Sequence, residues 1–495
     1  MNIILLLSYF VMAVYGAAIV LVFFYSLAQL NLLFNYLQSK KKVRNLEKFD
    51  FSDPDQVPFV TIQLPIFNEK YVVERLLNNI AKLEYPSHKI EIQVLDDSTD
   101  DSLLLTRQLV ENLQAQGINI EHITRRNRVG FKAGALKEGL ITAKGEFVAV
   151  FDADFMPNSD WLLRTIPYFK NPQIGVVQTR WSHLNRDYSW LTKIQAFALD
   201  AHFTFEQAGR NAQQHCINFN GTAGVWRKSC IIDAGNWESD TLTEDLDLSY
   251  RAQLKNWKFI YLENVATPAE LPAVVSAARS QQFRWNKGGA ENFVKMFWRI
   301  IKSENLPAKS KFHAIFHLSN SSMFLCVFAI SFLSVPMLFI KNEFPNLTLF
   351  FDIMTFFVAT SIIFFVCYWV TYKNIMGKGF KNFINYSGLF FAFYSIAMGF
   401  SFQNSMAVLE GFRGKKSEFI RTPKLNIESL KESWKENIYL SKTLSKNIFF
   451  EALLIVYFAF ALYSGIKLND FVLFPFHLML FFGYNYVVIN SLKNT

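Results

Sequence analysis

Two carboxylates one residue apart, Asp152 and Asp154, follow directly on the apolar run Phe147–Phe151. Hard cations such as Mg²⁺ or Mn²⁺ take oxygen ligands. One held by this pair would bridge a diphosphate and offset the charge of a leaving group. An acidic pair in a turn is the plainer alternative. Asp96 and Asp97 end the run Ile90–Leu95 in the same way. Acidic groups there either hydrogen-bond a base or ribose beyond a strand's carboxyl end or cap a turn or helix. Thr243-Glu244-Asp245 precedes a helical pattern from Leu246 to Leu254. It supplies either a capping cluster at a helix N-terminus or a general base for a hydroxyl group. Finally, Gln281-Gln282-Phe283-Arg284-Trp285 lies between Arg279 and Lys287. These three cations suit a diphosphate, which Arg grips bidentately, and Trp285 offers a face on which a sugar ring can stack. The alternative is an amphipathic membrane-surface segment with snorkelling Arg and interfacial Trp.

The elements that position these groups read as a mostly parallel sheet. Short apolar runs at Phe59–Leu64, Ile90–Leu95, Phe147–Phe151 and Gly175–Gln178 are interspersed with helical patterns at Lys70–Leu83 and Lys132–Ala143. Strands alternating with helices predict an α/β domain covered on both faces. In such a sheet, ligands bind beyond the carboxyl ends of the strands, where Asp96-Asp97 and Asp152-Ala153-Asp154 lie. The soluble texture runs over 45–312.

Apolar segments flank this domain. Residues 1–39 contain no charged side chain, and a bilayer span needs roughly 20 apolar residues. A cleaved signal peptide would carry a basic n-region and a shorter core, so this segment reads as a retained span. Lys40, Lys41, Lys42 and Arg44 follow it and place the domain in the cytoplasm. His313–Ile340 and Phe350–Thr371 read as two more spans, within 313–372, and Asn447–Ile466 and Phe471–Ile489 as the last two, within 447–490. Tyr372–Lys381 is basic. So is Phe412–Lys446, with Arg413, Lys415, Lys416, Arg421, Lys424, Lys431, Lys435, Lys442 and Lys446. Both loops are therefore assigned to the cytoplasm. A helix between two cytoplasmic loops cannot cross once. Phe383–Leu409, with Asn385, Ser387, Ser395, Ser401, Gln403 and Asn404, then reads as an amphipathic helix on the inner face. A re-entrant hairpin is its rival.

The chain has 495 residues, 51% apolar and 18% charged, with a net charge of +9. Because much of the basic excess borders apolar segments, it follows the positive-inside rule and argues against a nucleic-acid partner. The four cysteines are scattered and imply neither disulfides nor zinc. Lys-, Asn- and Phe-rich usage points to a bacterial inner membrane.

The four acidic and basic motifs, in this order, resemble glycosyltransferase family 2 in its processive cellulose-synthase-like branch: D, D-x-D, T-E-D, Q-x-x-R-W. Ile92–Ser98, Phe151–Phe155, Phe219–Trp226, Gly414–Phe419 and Thr422-Pro423-Lys424 further resemble the plant mannan and glucan backbone synthases. The resemblance implies a GT-A catalytic domain inserted between transmembrane helices, with a mixed, mostly parallel sheet and flanking helices. It implies a nucleotide-sugar donor (UDP-glucose or GDP-mannose), Mg²⁺ or Mn²⁺, and inverting transfer to a β-linked polysaccharide; a lipid acceptor, as in ceramide glucosyltransferases, is the alternative. By position, Asp96 or Asp97, Lys132, Asp152, Gln281 and Arg284 would hold the donor, Asp152 and Asp154 the metal. Asp245 would be the base. Trp285, Phe219, Asn220, Gly221, Thr222 and Glu244 would line the acceptor end. Phe419, Arg421, Thr422 and Lys424 would form a gating loop reached from the inner-face helix, within 383–446. The chain departs from many relatives at Ala135, where they have Asn after Lys-Ala-Gly. It also has one N-terminal span where bacterial cellulose synthases have more, and no cyclic-di-GMP-binding domain is expected. No motif names an export partner.

Overall fold

The computed structural model describes residues 3–41, 48–53, 56–417, 419–426, 437–440 and 445–493. Lys42, Arg44, Glu418, Lys431, Lys435 and Lys442, used above, lie outside these.

Seven strands form the sheet: β1 (Val60–Ile66), β2 (Ile90–Asp96), β3 (Ile120–Thr124), β4 (Phe147–Val150), β5 (Ile174–His183), β6 (Gly224–Arg227) and β7 (Lys258–Ala269). Their order is β3-β2-β1-β4-β6-β5-β7. β6 alone runs antiparallel to its neighbours β4 and β5, which gives the mixed, mostly parallel sheet expected. Central strands buried on both faces read as unbroken apolar runs, and that is why β1, β2 and β4 were visible in the sequence. β3 carries Glu121, His122 and Thr124 at the edge, β6 is four residues long, and the apolar run of β7, Phe259–Leu262, is followed by Glu263 and Asn264; none was predicted. The helix Val73–Ile80 buries Val73, Leu76, Leu77 and Ile80 against the sheet, the spacing of one helix face. Polar side chains inside the sheet are paired, as Gln63 with Gln93 at 2.9 Å and Thr61 with Glu91 at 2.6 Å.

Among the described residues, four helices are long and apolar enough to cross a membrane: Ile3–Ser39, Asn320–Glu343, Thr348–Met376 and Asn447–Lys467. Three differences from the predicted layout have physical causes. The segment His313–Leu318 is not the start of a span but belongs to a separate helix, Ala308–Leu318, closed by a tight turn at Asn320–Ser322. The segment read as one helix over Phe383–Leu409 is two helices, Phe380–Gly399 and Ser401–Phe412, bent by 50°. Its second half buries Ser401, Gln403, Asn404 and Ser405, and Asn404 donates to Gln282 at 2.9 Å. Gln403 and Asn404 bond the helix Val275–Lys302. Ser401 and Ser405 bond Tyr484 and the Phe324 carbonyl of neighbouring helices, while Ser387 and Ser395 bond their own helix backbone.

The last helix, Phe474–Lys493, falls outside the four. It carries His477, Asn485 and Asn490 and packs against Phe380–Gly399 through glycine. A Cβ on Gly483 would lie 1.9 Å from the Ser395 carbonyl oxygen. Gly483→Ala is therefore expected to destabilise the helix bundle by about 1–3 kcal/mol, measured as a lower unfolding temperature in detergent.

Two of the contacts that fasten the sheet-bearing domain to the helices involve charged groups. Tyr36, at the end of the first helix, donates to Glu263 at 2.8 Å. On the other side, Arg279 reaches Glu451 of the helix Asn447–Lys467, with Nη1 donating to Oε1 at 2.9 Å and Nη2 donating to Oε2. Gln403 and Ser491 complete its partners. Glu451 and Arg279 side chains are 0% and 7% exposed, so the pair is shut off from water.

Candidate active site

The predicted residues converge on one cavity of about 190 Å³ beyond the carboxyl ends of β1, β2 and β4. Its wall holds Asp97, Lys132, Asp152 and Asp154. With them stand Asn220, Gly221, Glu244, Asp245, Gln281, Arg284 and Trp285, and Phe419, Arg421, Thr422 and Lys424 enter from the loop.

Three predicted residues lie elsewhere. Asp96 ends β2 with its side chain fully buried. Its Oδ1 accepts from the Ser98 backbone N–H at 2.8 Å and its Oδ2 meets His122 at 2.9 Å. It holds the turn, and Asp97 is the member of the pair at the wall. Phe219 packs inside the domain against Trp226 and Trp237. Thr222 is buried behind Asp152, whose backbone N–H donates to its hydroxyl at 2.8 Å. Arg279 and Lys287, both placed with the diphosphate above, turn away as well. Arg279 is held by Glu451, and the buried Lys287 donates to Ser417 at 2.8 Å and pairs with Glu410 at 3.2 Å. On the helix Val275–Lys302, Arg279 stands five residues before Arg284, about 140° around the axis, whereas Lys287, three residues after Arg284 and so near its face, is drawn aside by Glu410 and Ser417.

Lys132 begins the helix Phe131–Thr142. Its ammonium donates to Asp152 at 2.5 Å and to the Gly221 carbonyl at 2.8 Å. Burial disfavours that charge, but Asp152 and Glu244 outweigh it and raise the pKa above the ordinary lysine value. Gly221 has φ of +80°, and a Cβ there would lie 3.2 Å from Asp245 Oδ2; glycine serves both the backbone and the close approach.

Asp245 sits in the first turn of the helix Glu244–Leu254, whose preceding Thr243 makes no side-chain cap. Burial first, then the Glu244 charge, push the Asp245 carboxyl up to about 7, against the pull of Lys132. Burial also raises Glu244. Arg284 donates to the Thr422 hydroxyl at 2.7 Å and lies over the Phe419 ring at 4.5 Å. Burial lowers it to about 10, with Glu244 and Asp152 opposing, so it stays charged at neutral pH.

The loop closes the cavity with its own cations. Lys424 pairs with Asp154 at 2.8 Å and Arg421 with Glu69 at 2.5 Å. The Leu425 N–H donates to Glu270 at 2.7 Å. Glu69 and Glu270 line the cavity and received no role from the sequence. Glu69 lies three residues past the end of β1, so its position beyond a strand end was the available signal; burial raises it to about 7. Arg125, which pairs with Asp97 through Nε at 2.8 Å, carried no signal.

The D-x-D carboxylates suit a hard divalent cation. Each meets a lysine, Asp154 Oδ1 is buried without a partner, and Asp152 is 35% exposed, so oxygen ligands and access are both present. A second acidic group, Glu238, Asp240 and Asp247, surrounds Lys295 at 2.7, 2.8 and 2.8 Å. That ammonium supplies its countercharge.

Comparison with known proteins finds relatives of this domain. Residues 58–288 match the family described as "Glycosyltransferase like family 2". Glucomannan 4-beta-mannosyltransferase 9 of Arabidopsis thaliana is 43% identical over 267 residues, covering 52% of this chain and 50% of that protein. Glucomannan 4-beta-mannosyltransferase 1 of Cyamopsis tetragonoloba is 41% identical over 303 residues, covering 59% and 57%. The chain spans about half the length of the curated relatives it matches. A solved mannosyltransferase from Pyrobaculum calidifontis, in complex with GDP-Man and Mn²⁺, superposes with a TM-score of 0.52 at 20% identity, covering 74% of this chain and 100% of that one; it shares the GT-A fold. Residues 58–288 thus match a family 2 glycosyltransferase domain and are similar to the corresponding part of plant glucomannan 4-beta-mannosyltransferases.

Proposed function

We propose that the chain is a membrane-embedded synthase that transfers a hexosyl unit, mannosyl before glucosyl, from a nucleotide sugar to the end of a β-linked glycan. The observation that carries this reading is the meeting of Asp152, Asp245, Arg284 and Trp285 in one cavity. The 41–44% identity to glucomannan 4-beta-mannosyltransferases favours GDP-mannose over UDP-glucose.

Asp245, unprotonated, takes the proton of the acceptor hydroxyl as that oxygen bonds to the anomeric carbon. The bond from that carbon to the diphosphate oxygen breaks in the same displacement, which inverts an α-linked donor to a β-linked product. Arg284 and Lys132 present fixed positive charge to the leaving diphosphate. Asp152 and Asp154 would hold Mg²⁺ or Mn²⁺, which adds Lewis-acid neutralisation of the same charge when bound. Asp97, at the β2 end, faces the nucleotide, and Gln281 the diphosphate. Trp285 stacks on the acceptor sugar, with Asn220, Gly221 and Glu244 beside it. The catalytic domain faces the cytoplasm, a reading supported by Lys40, Lys41 and the basic residues after Phe412.

With the loop in place the cavity of about 190 Å³ is smaller than the roughly 300–1,000 Å³ of ordinary ligand pockets. The loop must therefore withdraw to admit a nucleotide sugar.

The test is incorporation by membranes carrying the full chain. GDP-mannose and UDP-glucose, each radiolabelled, are supplied separately with Mg²⁺ or Mn²⁺, and the product is digested with β-mannanase or cellulase. We expect a polymer labelled from GDP-mannose and cut by β-mannanase. A labelled single-sugar lipid would replace this reading with the lipid-acceptor one, and no transfer from either donor would end it.

A further inference from the structure

The cavity wall includes two side chains of β5, Trp181 and His183, that the mechanism above does not use. Residues two apart on a strand share a face, so indole and imidazole stand side by side. The Trp181 ring is fixed edge-on against Phe155, at 5.1 Å, and tilted on Phe203, at 4.9 Å. Phe155 is the residue after Asp154, which sets the indole beside the D-x-D turn.

The Trp181 Nε1–H is buried and has no partner. The Trp226 and Trp237 indoles also lack a partner but do not line this cavity, whereas the Trp161 indole donates to Thr267 and the Trp257 indole to Asp233, each at 2.9 Å. His183 repeats the pattern. Its side chain is 1% exposed and its Nε2 stops 3.6 Å from Asp200, beyond hydrogen-bond distance. Arg186 already donates to that carboxylate at 2.6 Å. Burial keeps the imidazole neutral by lowering its pKa. Buried polar groups are rarely left unpaired, and two on one face of a cavity wall suit a ligand. Both groups are neutral, so they match hydroxyl groups rather than phosphates, and a rigid aromatic edge suits a sugar ring.

We propose that Trp181 and His183 form the wall that reads the hydroxyls of the donor hexose, the Trp181 Nε1–H donating to one of them. This rests on the hexosyl-transfer reading. These residues would set which sugar is used, with the nucleotide held elsewhere.

The experiment is a double-mutant cycle on the full chain in membranes. Trp181→Phe keeps the ring and removes the N–H. Wild type and variant are assayed with the donor the wild type uses, GDP-mannose or UDP-glucose, and with its analogues lacking one hydroxyl each. Binding of the free nucleoside diphosphate is followed by calorimetry. We expect kcat/KM for the complete donor to fall roughly tenfold in the variant, the scale of one lost hydrogen bond to a neutral partner. Nucleoside diphosphate affinity should stay within about twofold. At one hydroxyl, deletion should cost the wild type about tenfold and the variant nothing. His183→Gln, taken through the same cycle, covers a Trp181 variant that fails to fold. Additive losses at every hydroxyl in both variants, or equal losses for sugar donor and free nucleotide, would overturn the proposal. A wild type that uses neither donor overturns the transfer reading instead.

Discussion

Asp245→Asn is expected to lower sugar transfer by a factor of roughly 10²–10⁴, the contribution of a positioned general base, while leaving nucleotide binding nearly intact. Asparagine has the same shape, so Gly221, whose Cα hydrogen faces this side chain, needs no movement. What is lost is the ability to accept a proton. The wild-type pH profile should carry the same signature. A base works unprotonated, and burial with the Glu244 charge pushes the Asp245 carboxyl up to about 7. Activity should therefore rise with pH through about 7 and level off above it, and the residual rate of the variant should lack this limb. The stability linkage has the opposite slope. A carboxyl raised above its unfolded value gives a stability that is lost as pH rises through the folded pKa. The variant should thus be no less stable than wild type at pH 8, which separates lost chemistry from lost folding. Transfer at the wild-type rate would remove Asp245 from the mechanism.

The second large effect concerns stability. Glu451→Ala should destabilise the protein by about 3–5 kcal/mol, because it strands the Arg279 guanidinium in a site closed to water. Gln403 and Ser491 would remain as neutral partners without the countercharge. The readout is the unfolding temperature in detergent, together with loss of transfer, since the same helix carries Gln281, Arg284 and Trp285. Replacing both partners by apolar residues, Arg279→Met with Glu451→Leu, should recover most of the loss, because removing both charges also removes their desolvation cost. If the single and double variants unfold alike, the ion pair is not the source of the cost.

The motif residues were legible because each stands where an element changes. Asp152 follows a four-residue apolar strand, and Asp245 opens a helix. Both alternatives for the pair ending β2 proved to have a place: Asp96 holds the turn, while Asp97 reaches the cavity. What stayed hidden was direction and partnership across long separations. Arg279, Arg284 and Lys287 look equivalent in the sequence, yet only Arg284 points into the cavity. The polar residues Ser401, Gln403 and Asn404 marked a helix as amphipathic, but they serve contacts with Tyr484, Arg279 and Gln282 rather than water. Glu69 and Glu270 had no visible role because their partners, Arg421 and Leu425, lie far along the chain. Trp181 gave no signal, since an indole's missing partner exists only in three dimensions.

The Arg279–Glu451 contact also orders events during synthesis. Arg279 is made 172 residues before its partner, which at 5–20 residues per second is a delay of roughly 9–34 s. Throughout that interval Arg279 lacks its countercharge, and the helix bearing Gln281, Arg284 and Trp285 is held on the membrane side by the earlier-made Gln403, Asn404 and Glu410. The catalytic half of the chain is thus translated early but clamped in full only late, once the helix Asn447–Lys467 has entered the bilayer. A nascent chain that stalled after the sheet would hold every acidic motif and still lack the clamp that seats its basic one.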